Sequence, residues 1–406
     1  MTDIASVHRS ATGAPADLER CPIMPTYGPP KVTFVRGEGS VLWDLDDKRY
    51  IDWLAGIAVT SLGHAHPTVA AAIAQQATTL LHVSNLFATE HQVPIARTLD
   101  RLIGDGTPAG GQVFFSNSGA EANEAALKLA RRYGGHGRHV VVSAFQSFHG
   151  RTLATLAATG QPAKWEVFQP LPEGFRHVAW ADLDELEKAL DETVAAVFLE
   201  PIQGEGGVNP ATVEYYQGVR RLCDERDILF MVDEVQAGLG RTGRWFGFQH
   251  FGITPDVVTM AKALGNGMPI GACWAKADVA AAFKPGDHAT TFGGQPMATS
   301  AARATLDELE RIDAPATAAA AAAKLTDALL AIDGVETVRG LGLLMAAELS
   351  PGIDAGLVAA TCLENGLVLN AVTPSALRLT PAITIDDAAI VEGAEILART
   401  IAEVGG

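Results

Sequence analysis

From about residue 110 onward, short stretches of apolar, β-favouring residues alternate with longer stretches that have helical spacing. The apolar stretches are QVFFS, HVVVSAF, VAAVFLE, ILFMVD, DVVTMA and IGACWA. Strands that are apolar on both faces belong to sheets covered on both sides, and alternation with helices is typical of parallel strands. The pattern therefore predicts an α/β protein with a large domain built on a mostly parallel central sheet.

The rest of the chain has a different pattern and suggests a division into four segments. Its 406 residues suit two lobes rather than one small core. Residues 1–25 are polar and are expected to form a flexible N-terminal segment. Residues 26–60 contain hairpin-like strands and are expected to join a smaller domain. We expect residues 61–300 to form the large domain and residues 301–406 the small α+β domain.

Composition narrows the possible partners and the compartment. The formal net charge is −17, which argues against nucleic acid or an anionic membrane as a partner because both require a basic surface. No apolar stretch is long enough to cross a bilayer, and the polar N-terminus does not have the pattern of a secretory signal. The four cysteines are far apart and contain no C-x-x-C pair, which indicates a reducing, cytoplasmic environment without a zinc site.

Unusual polar clusters follow five of the predicted strands. These clusters are NSGAEANE, QSFHGRT, PIQGEGG, DEVQAG and KALGNG. Ligands of parallel sheets bind beyond the carboxyl ends of the strands, so all five clusters are expected to face one cleft.

Two motifs invite alternative interpretations of this cleft. Gly238, Gly240 and Gly243 spell G-x-G-x-x-G, as in a nicotinamide dehydrogenase, but the residues DEVQA separate them from the strand and no amphipathic helix follows. His64 and His66 suggest a metal site, but no third ligand accompanies them. We therefore predict turn histidines and no metal.

Three features of the clusters carry chemical information. Ser118, Gly119 and Ala120 open a helix whose free N–H groups can bind phosphate, although an ordinary N-cap explains them equally well. Lys262 lies between an apolar strand and a glycine loop, where burial produces either a nucleophilic amine or a structural lysine. Asp233 ends a buried strand and needs a positive partner.

Asp233, Lys262 and the helix start together fit pyridoxal 5'-phosphate. The lysine would form the imine with the cofactor, and the aspartate would hold the pyridine nitrogen protonated. Glu234, the neighbour of Asp233, is predicted to be an ordinary strand-end carboxylate with a surface contact.

The same residues resemble the class-III, fold-type-I aminotransferases, which depend on pyridoxal phosphate. The resemblance covers about residues 25–390 and rests on the motifs SGAEANEAALKLAR, FHGRT, EPIQGEGG, DEVQAGLGRTG, AKALGNGMPIGA and TTFGGQP. With GIAVTSLGHAHP, HVSNLF and PSALRLTP, it is strongest to the members that transfer the δ-amino group of N2-acetyl-L-ornithine to 2-oxoglutarate in arginine biosynthesis. Members acting on succinylornithine, succinyl-diaminopimelate, ornithine or 4-aminobutyrate remain alternatives, as does a non-catalytic regulatory protein on the same scaffold.

The resemblance implies a role for each residue around the cofactor. Lys262 is expected to form the imine and move the proton, and Asp233 to pair with the pyridinium. The other expected cofactor contacts are Val235 and Phe148 on the two ring faces, Gln236 at the phenolic oxygen, Ser118, Gly119 and Ala120 at the phosphate, and Thr291 at the phosphate of a partner subunit. The last contact implies a homodimer with shared active sites.

The resemblance also implies a division of labour among substrate residues. Arg151 is expected to bind a carboxylate of both substrates, whereas Arg378 binds the second carboxylate of glutamate only. Glu205 is expected to neutralise Arg378 when the acylated ornithine is bound, and Thr290 to lie near the substrate. The sequence departs from the family pattern at three positions, which are Asn266, Gln295 and Ala382.

Overall fold

The structure is a computed structural model that describes residues 23–405. The N-terminal segment predicted to be flexible therefore lies almost entirely outside the described residues. The strands are β1 (Phe34–Glu38), β2 (Val41–Asp44), β3 (Arg49–Asp52), β4 (Gly111–Ser116), β5 (Val140–Ala144), β6 (Phe175–Val178), β7 (Val194–Leu199), β8 (Ile202–Gln203), β9 (Asn209–Pro210), β10 (Leu229–Asp233), β11 (Val257–Met260), β12 (Gly271–Lys276), β13 (Val335–Leu341), β14 (Leu344–Leu349), β15 (Leu367–Val368), β16 (Asn370–Thr373) and β17 (Ala376–Leu379).

Helices connect most of these strands. They are α1 (Ala55–Ala58), α2 (Pro67–Ala77), α3 (Gln92–Ile103), α4 (Gly119–Gly134), α5 (Leu153–Ala158), α6 (Pro162–Trp165), α7 (Leu183–Ala189), α8 (Val213–Arg226), α9 (Ala277–Ala280), α10 (Pro296–Arg311), α11 (Ala314–Leu330), α12 (Ala355–Glu364) and α13 (Asp387–Gly405). Short 3₁₀ helices cover Glu166–Phe168, Gly247–Phe251 and Lys262–Gly265. None of the helices in the described range has both the length and the apolar character needed to cross a membrane.

The central sheet has seven strands in the order β4-β12-β11-β10-β7-β5-β6. Strands β11, β10, β7, β5 and β6 pair in parallel, whereas β12 is antiparallel to both β11 and β4. All six apolar stretches form strands of this sheet, which confirms the predicted α/β class. Strand β6 was not predicted, because its sequence FRHV is mostly half-buried and lacks a continuous apolar run.

The core explains why the central strands are apolar throughout. Along β10, Phe230 and Val232 pack into one hydrophobic cluster, which also contains Tyr216 of α8. Leu229 and Met231 point the other way, into a second cluster that includes Ala125 of α4. Because successive strand residues face opposite sides, helices on both faces require apolar side chains at every position.

The remaining strands form three smaller sheets. Strands β1, β2 and β3 make the predicted hairpins and continue in parallel from β3 to β15. Strands β13, β14, β17 and β16 form an antiparallel sheet near the C-terminus, and β8 pairs with β9. The turn before β14 and the loop after β17 both contact Arg241, whose side chain donates hydrogen bonds to the carbonyls of Leu343 and Pro381.

Candidate active site

A cavity of about 370 Å³ lies at the carboxyl ends of the central strands. Its volume is in the range typical of small-molecule sites. All five polar clusters contribute to its wall, which confirms that they face one cleft. The predicted site residues among the lining are Ser118, Gly119, Ala120, Phe148, Arg151, Asp233, Val235, Gln236 and Lys262.

One end of the cavity is closed by the start of helix α4. The Ser118 side chain caps this helix by accepting a hydrogen bond from the Glu121 N–H at 3.2 Å. The N–H groups of Gly119 and Ala120 belong to the first turn, where no helical carbonyl is available to accept them. Both residues line the cavity, so the N-cap and a phosphate cradle coexist at this helix start.

Asp233 is buried at the end of β10 and is surrounded by hydrogen-bond donors. Its carboxylate accepts from the Asn123 side chain at 2.8 Å, from Nδ1–H of His149 at 2.9 Å and from the Val235 N–H at 3.0 Å. His149 is stacked on Phe198 with ring centres 4.2 Å apart. These donors hold the carboxyl group of Asp233 in one orientation.

Sequence reasoning missed Asn123 and His149, although both lie within quoted motifs. Asn123 is one turn after Gly119 on α4, and His149 is the histidine of FHGRT. The available signal was the helical spacing from the phosphate cradle, which places residue 123 on the same helix face. Asn123 Oδ1 and His149 Nε2 are buried without a hydrogen-bond partner in the described chain, so unpaired polar atoms accompany Asp233.

The prediction that Glu234 keeps a surface contact is wrong. Only 1% of the residue is exposed, and its carboxylate accepts hydrogen bonds from the N–H groups of Gly247 and Phe248 at 2.9 and 2.8 Å. Burial raises the pKa of Glu234 to about 8, although these two donors oppose the shift. Adjacent strand residues point to opposite faces, so Glu234 caps a 3₁₀ helix whereas Asp233 faces the cavity.

Lys262 follows β11 and is half-buried, with its side chain in the cavity wall. Burial lowers the pKa of Lys262 to about 8, while the nearby carboxylate of Glu205 acts in the opposite direction. The backbone at Lys262 has φ of 38°, which is unusual for a residue other than glycine and is typical of functional sites. The amine therefore releases its proton more readily than an exposed lysine does.

Glu200 is a further buried carboxyl group that the sequence analysis did not single out. It lines the cavity and accepts a hydrogen bond from the Phe148 N–H at 3.1 Å. Burial, reinforced by the charge of Asp233, raises the pKa of Glu200 well above its usual value. The environment therefore favours the neutral form of Glu200.

The Arg378–Glu205 pair lies next to the cavity and connects β17 to the loop between β8 and β9. Arg378, on β17, is 1% exposed, and its Nη1 donates to the Glu205 carboxylate at 2.5 Å. Burial acts to raise the pKa of Glu205, but the charge and hydrogen bond of Arg378 outweigh burial, so the pKa lies below its usual value. Gln236, which lines the cavity, also donates to Glu205 at 3.3 Å.

Arg151 and Phe148 form another part of the wall. The guanidinium carbon of Arg151 lies 5.6 Å from the centre of the Phe148 ring. Arg151 is exposed to solvent, so it lies at the mouth of the cavity rather than in its depth.

Thr290 and Thr291 are not among the residues that line the cavity of their own chain. Thr290 accepts a hydrogen bond from the Asn117 side chain at 3.1 Å, and Thr291 is exposed. The structure therefore brings eleven of the thirteen predicted site residues to one place, either in the wall or, for Arg378 and Glu205, directly behind it.

The three departures from the family pattern have structural explanations that do not involve the cavity directly. Asn266 adopts a left-handed conformation with φ of 45°, which asparagine tolerates, and its side chain bonds the backbone of Leu62 and Gly63. Gln295 accepts from the Val83 N–H at 3.1 Å. Ala382 is 1% exposed and belongs to the core.

In the part of the chain that the structure describes, neither the G-x-G-x-x-G motif nor the histidine pair has the surroundings that a dinucleotide site or a metal site requires. Gly238, Gly240 and Gly243 lie in a turn region rather than at the start of a helix. His64 pairs with Asp52 at 2.7 Å, and no group of three or more His, Cys, Asp or Glu side chains among residues 23–405 is arranged to hold a metal ion.

Comparison with known proteins agrees with this geometry. The family model for aminotransferase class-III matches residues 23–401. The chain belongs to the class-III aminotransferases. Their fold, the fold type I of pyridoxal phosphate enzymes, and their dependence on this cofactor apply to the chain.

Individual members of the class-III aminotransferases are similar over most of their length. The chain is 48% identical to the acetylornithine aminotransferase of Gloeobacter violaceus, covering 91% of the chain and 95% of the relative. It is 46% identical to the acetylornithine aminotransferase of Corynebacterium efficiens, with 100% of both chains covered. The crystal structure of N-acetylornithine aminotransferase from Stenotrophomonas maltophilia superposes with a TM-score of 0.81 at 36% identity, covering 93% of this chain and 97% of that one.

The residues present fit pyridoxal phosphate. The cavity provides a helix start with free N–H groups for a phosphate, a desolvated amine at Lys262 for an aldehyde, and a buried carboxylate at Asp233 for a pyridinium. The buried Gln236 Oε1 has no partner among the described residues, so a polar atom remains available on the cavity wall.

Proposed function

We propose that this aminotransferase moves the δ-amino group of N2-acetyl-L-ornithine to 2-oxoglutarate, giving N-acetyl-L-glutamate 5-semialdehyde and L-glutamate. The relatives named acetylornithine aminotransferase support the choice of substrate. The observation that carries the proposal is the buried ion pair of Arg378 and Glu205, because it allows one site to accept substrates of different charge.

The proposed roles of the cofactor residues follow the geometry described above. Gly119 and Ala120, capped by Ser118, would hold the phosphate; Val235 and Phe148 would enclose the ring; and Gln236 would bind the phenolic oxygen. When bound, pyridoxal phosphate supplies an aldehyde for the amine and a ring that accepts electrons from the substrate carbon. Asp233 keeps the ring nitrogen protonated, and Asn123 and His149 keep Asp233 oriented.

Lys262 is proposed to act both as the amine that holds the cofactor and as the proton carrier. Its lowered pKa of about 8 places it near neutrality, where a general base is most effective. Once the substrate amine has displaced it, the neutral Nζ would take the proton from the substrate carbon that bears the nitrogen and would return it to the carbon on the other side of that nitrogen. No other lysine among the described residues lines the cavity.

Substrate alternation is proposed to depend on the two arginines. Arg151 binds the carboxylate that both substrates carry, and Arg378 binds the second carboxylate of glutamate or 2-oxoglutarate. With acetylornithine bound, Arg378 keeps Glu205 as its partner, so no charge is left buried alone. With glutamate bound, Glu205 must give up Arg378, and its remaining contact is Gln236.

We also propose a homodimer with shared active sites. The loop that carries Thr290 and Thr291 is bonded to the segment before α3, since Asn85 donates to the carbonyls of Thr290 and Gly293. Three large apolar residues of these two segments are strongly exposed: Leu86 at 86%, Phe87 at 66% and Phe292 at 66%. A second copy of the chain would cover this patch and would receive Thr291 in its own site.

The predicted division into domains and the cytoplasmic location also stay proposals. Cys223, Cys273 and Cys362 are free and buried in the described chain, which agrees with a reducing compartment.

The deciding experiment is the absorbance spectrum of the purified enzyme before and after addition of N2-acetyl-L-ornithine without any keto acid. We expect a visible band from the lysine-bound cofactor that bleaches as the amino group is transferred. Succinylornithine, ornithine and 4-aminobutyrate serve as matched comparators. Faster bleaching with one of these amines would keep the aminotransferase and change its donor, whereas a protein that stays colourless with added pyridoxal phosphate would contradict the proposed site.

A further inference from the structure

Lys164, on the short helix α6, lies over the side chain of Phe148, a residue of the cavity wall. Its Nζ lies 5.5 Å from the centre of the Phe148 ring, and the Arg151 guanidinium lies 5.6 Å from the same centre. Phe148 and Arg151 line the cavity. Two cationic side chains therefore share one aromatic ring at the wall of the site, which is a favourable position for each of them singly.

The two cations differ from Arg378 in lacking an anionic partner. Within residues 23–405, neither Lys164 nor Arg151 forms an ion pair with a carboxylate, whereas Arg378 is paired with Glu205. Two like charges near one ring repel each other, and half-burial of Lys164 weakens the screening by water. An anion that binds between them removes this repulsion.

The pKa of Lys164 agrees with this description. Burial lowers it first, and the charge of Arg151 lowers it further; Glu205 raises it and Arg378 lowers it more weakly. Arg151, Glu205 and Arg378 are the charged groups that act on the amine. The pKa of Lys164 therefore depends on charges at both the Arg151 end and the Arg378 end of the site.

We propose that Lys164 is a specificity-determining residue that binds, together with Arg151, the substrate carboxylate remote from the reacting nitrogen. Arg151 offers a planar pair of donors to a carboxylate, and Lys164 adds a point charge from a second direction. In 2-oxoglutarate this group is the γ-carboxylate; in acetylornithine it is the α-carboxylate. The inference rests on the proposed function only in the choice of acetylornithine as donor.

The experiment compares Lys164→Gln and Lys164→Arg with the wild-type holoenzyme. Lys164→Gln is expected to raise KM for 2-oxoglutarate and for acetylornithine by about tenfold or more, with kcat within about twofold, because a charged hydrogen bond to the substrate is lost. Lys164→Arg is expected to restore most of the affinity. The matched control is Lys48→Gln, since Lys48 also lies over an aromatic ring, Tyr50, at 5.0 Å, but Tyr50, unlike Phe148, does not line the cavity.

A donor without the carboxylate separates substrate binding from a structural role. N-acetyl-1,4-diaminobutane keeps the amine and the acyl group of acetylornithine and lacks the carboxylate, so its KM is expected to be equal in wild type and Lys164→Gln. An equal rise in KM for this amine, or an unchanged KM for 2-oxoglutarate, would overturn the proposal.

One further measurement makes this test independent of the identity of the donor. Isotope exchange between glutamate and 2-oxoglutarate uses no acylated ornithine, so it tests Lys164 even if the preferred donor is another amine.

The pH dependence of KM tests whether the contact is charged. Since an amine with a lowered pKa loses its charge at lower pH than a guanidinium does, KM for 2-oxoglutarate is expected to rise in the alkaline range for wild type and to stay flat for Lys164→Arg. Parallel pH profiles would contradict a charged contact.

Discussion

The cofactor end and the substrate end of the cavity are built in different ways. The cofactor end consists of residues that follow strands of one sheet, such as Asp233 after β10 and Lys262 after β11, and of the start of α4. The substrate end combines Arg151 after β5, Glu205 before β9 and Arg378 on β17 of another sheet. The first end is built on a single sheet and its covering helix, whereas the second depends on how separate sheets are placed.

This difference indicates that the cofactor end carries the chemistry and that the substrate end determines the specificity. Asp233 is held by three hydrogen bonds, from Asn123 on α4 and from His149 and Val235 in loops that follow strands of the central sheet. Arg378 is held chiefly by Glu205 and by the Asn370 side chain at 3.2 Å, and the first of these partners is proposed to exchange. A site that must accept two substrates needs one end that does not move and one end that can rearrange.

The largest effect is expected at the fixed end, from Lys262→Ala. The variant lacks both the amine that holds the cofactor and the proton carrier, so kcat should fall by about 10⁴-fold or more. The visible absorbance of the lysine-bound cofactor should disappear while the thermal unfolding profile of the protein is retained. Lys276→Ala is the matched control, because Lys276 pairs with Asp256 away from the cavity; an active Lys262→Ala enzyme would disprove the mechanism.

The next effect compares the two carboxylates that end β10. Asp233→Asn should lower kcat by about 10²- to 10³-fold, since a neutral amide does not stabilise a protonated ring nitrogen. Glu234→Gln is the matched control and should keep kcat within a few-fold. It should lower the free energy of unfolding by about 1–3 kcal/mol instead, because its amide N–H₂ meets the N–H of Gly247 or Phe248. Steady-state kinetics and urea unfolding of both variants test this contrast.

At the adaptable end, Arg378→Gln should separate the two half-reactions. We expect kcat/KM for 2-oxoglutarate to fall about a hundredfold through loss of a charged contact, and kcat/KM for acetylornithine to change much less. Glu205→Gln should have the opposite preference, because Arg378 is then left without a carboxylate when acetylornithine is bound. Single-turnover rates with each substrate measure the split, and equal losses in both half-reactions would show that the pair has only a structural role.

The last prediction concerns the pH dependence of cofactor binding by the apoenzyme. Only neutral Lys262 reacts with the aldehyde, and its pKa is lowered to about 8, so the neutral fraction increases as pH rises toward that value. The rate of reconstitution should therefore rise about tenfold per pH unit below about 8 and level off above it. Stopped-flow absorbance across pH 6 to 10 measures the profile; a rate still rising at the top of this range would mean that burial does not affect the amine.

Sequence reasoning located the fold and most of the site because both depend on local patterns. The six apolar runs became strands of one sheet, and the rule that parallel strands present their ends at one edge brought the clusters together. It failed at β6, whose residues are mostly half-buried, and it did not find Asn123, His149, Glu200 or Lys164. Those side chains owe their importance to neighbours that are distant in the sequence.

Asp233 and Glu234 show what each level of description decides. The sequence by itself determined that β10 is a buried strand and that two carboxylates end it, because an apolar run of that length has few other structures. Which carboxylate meets the cofactor and which caps a 3₁₀ helix was decided only by the tertiary structure. Alternation along a strand sends neighbours to opposite faces, and the long-range packing of α4 on one face and Gly247–Phe251 on the other supplies their partners.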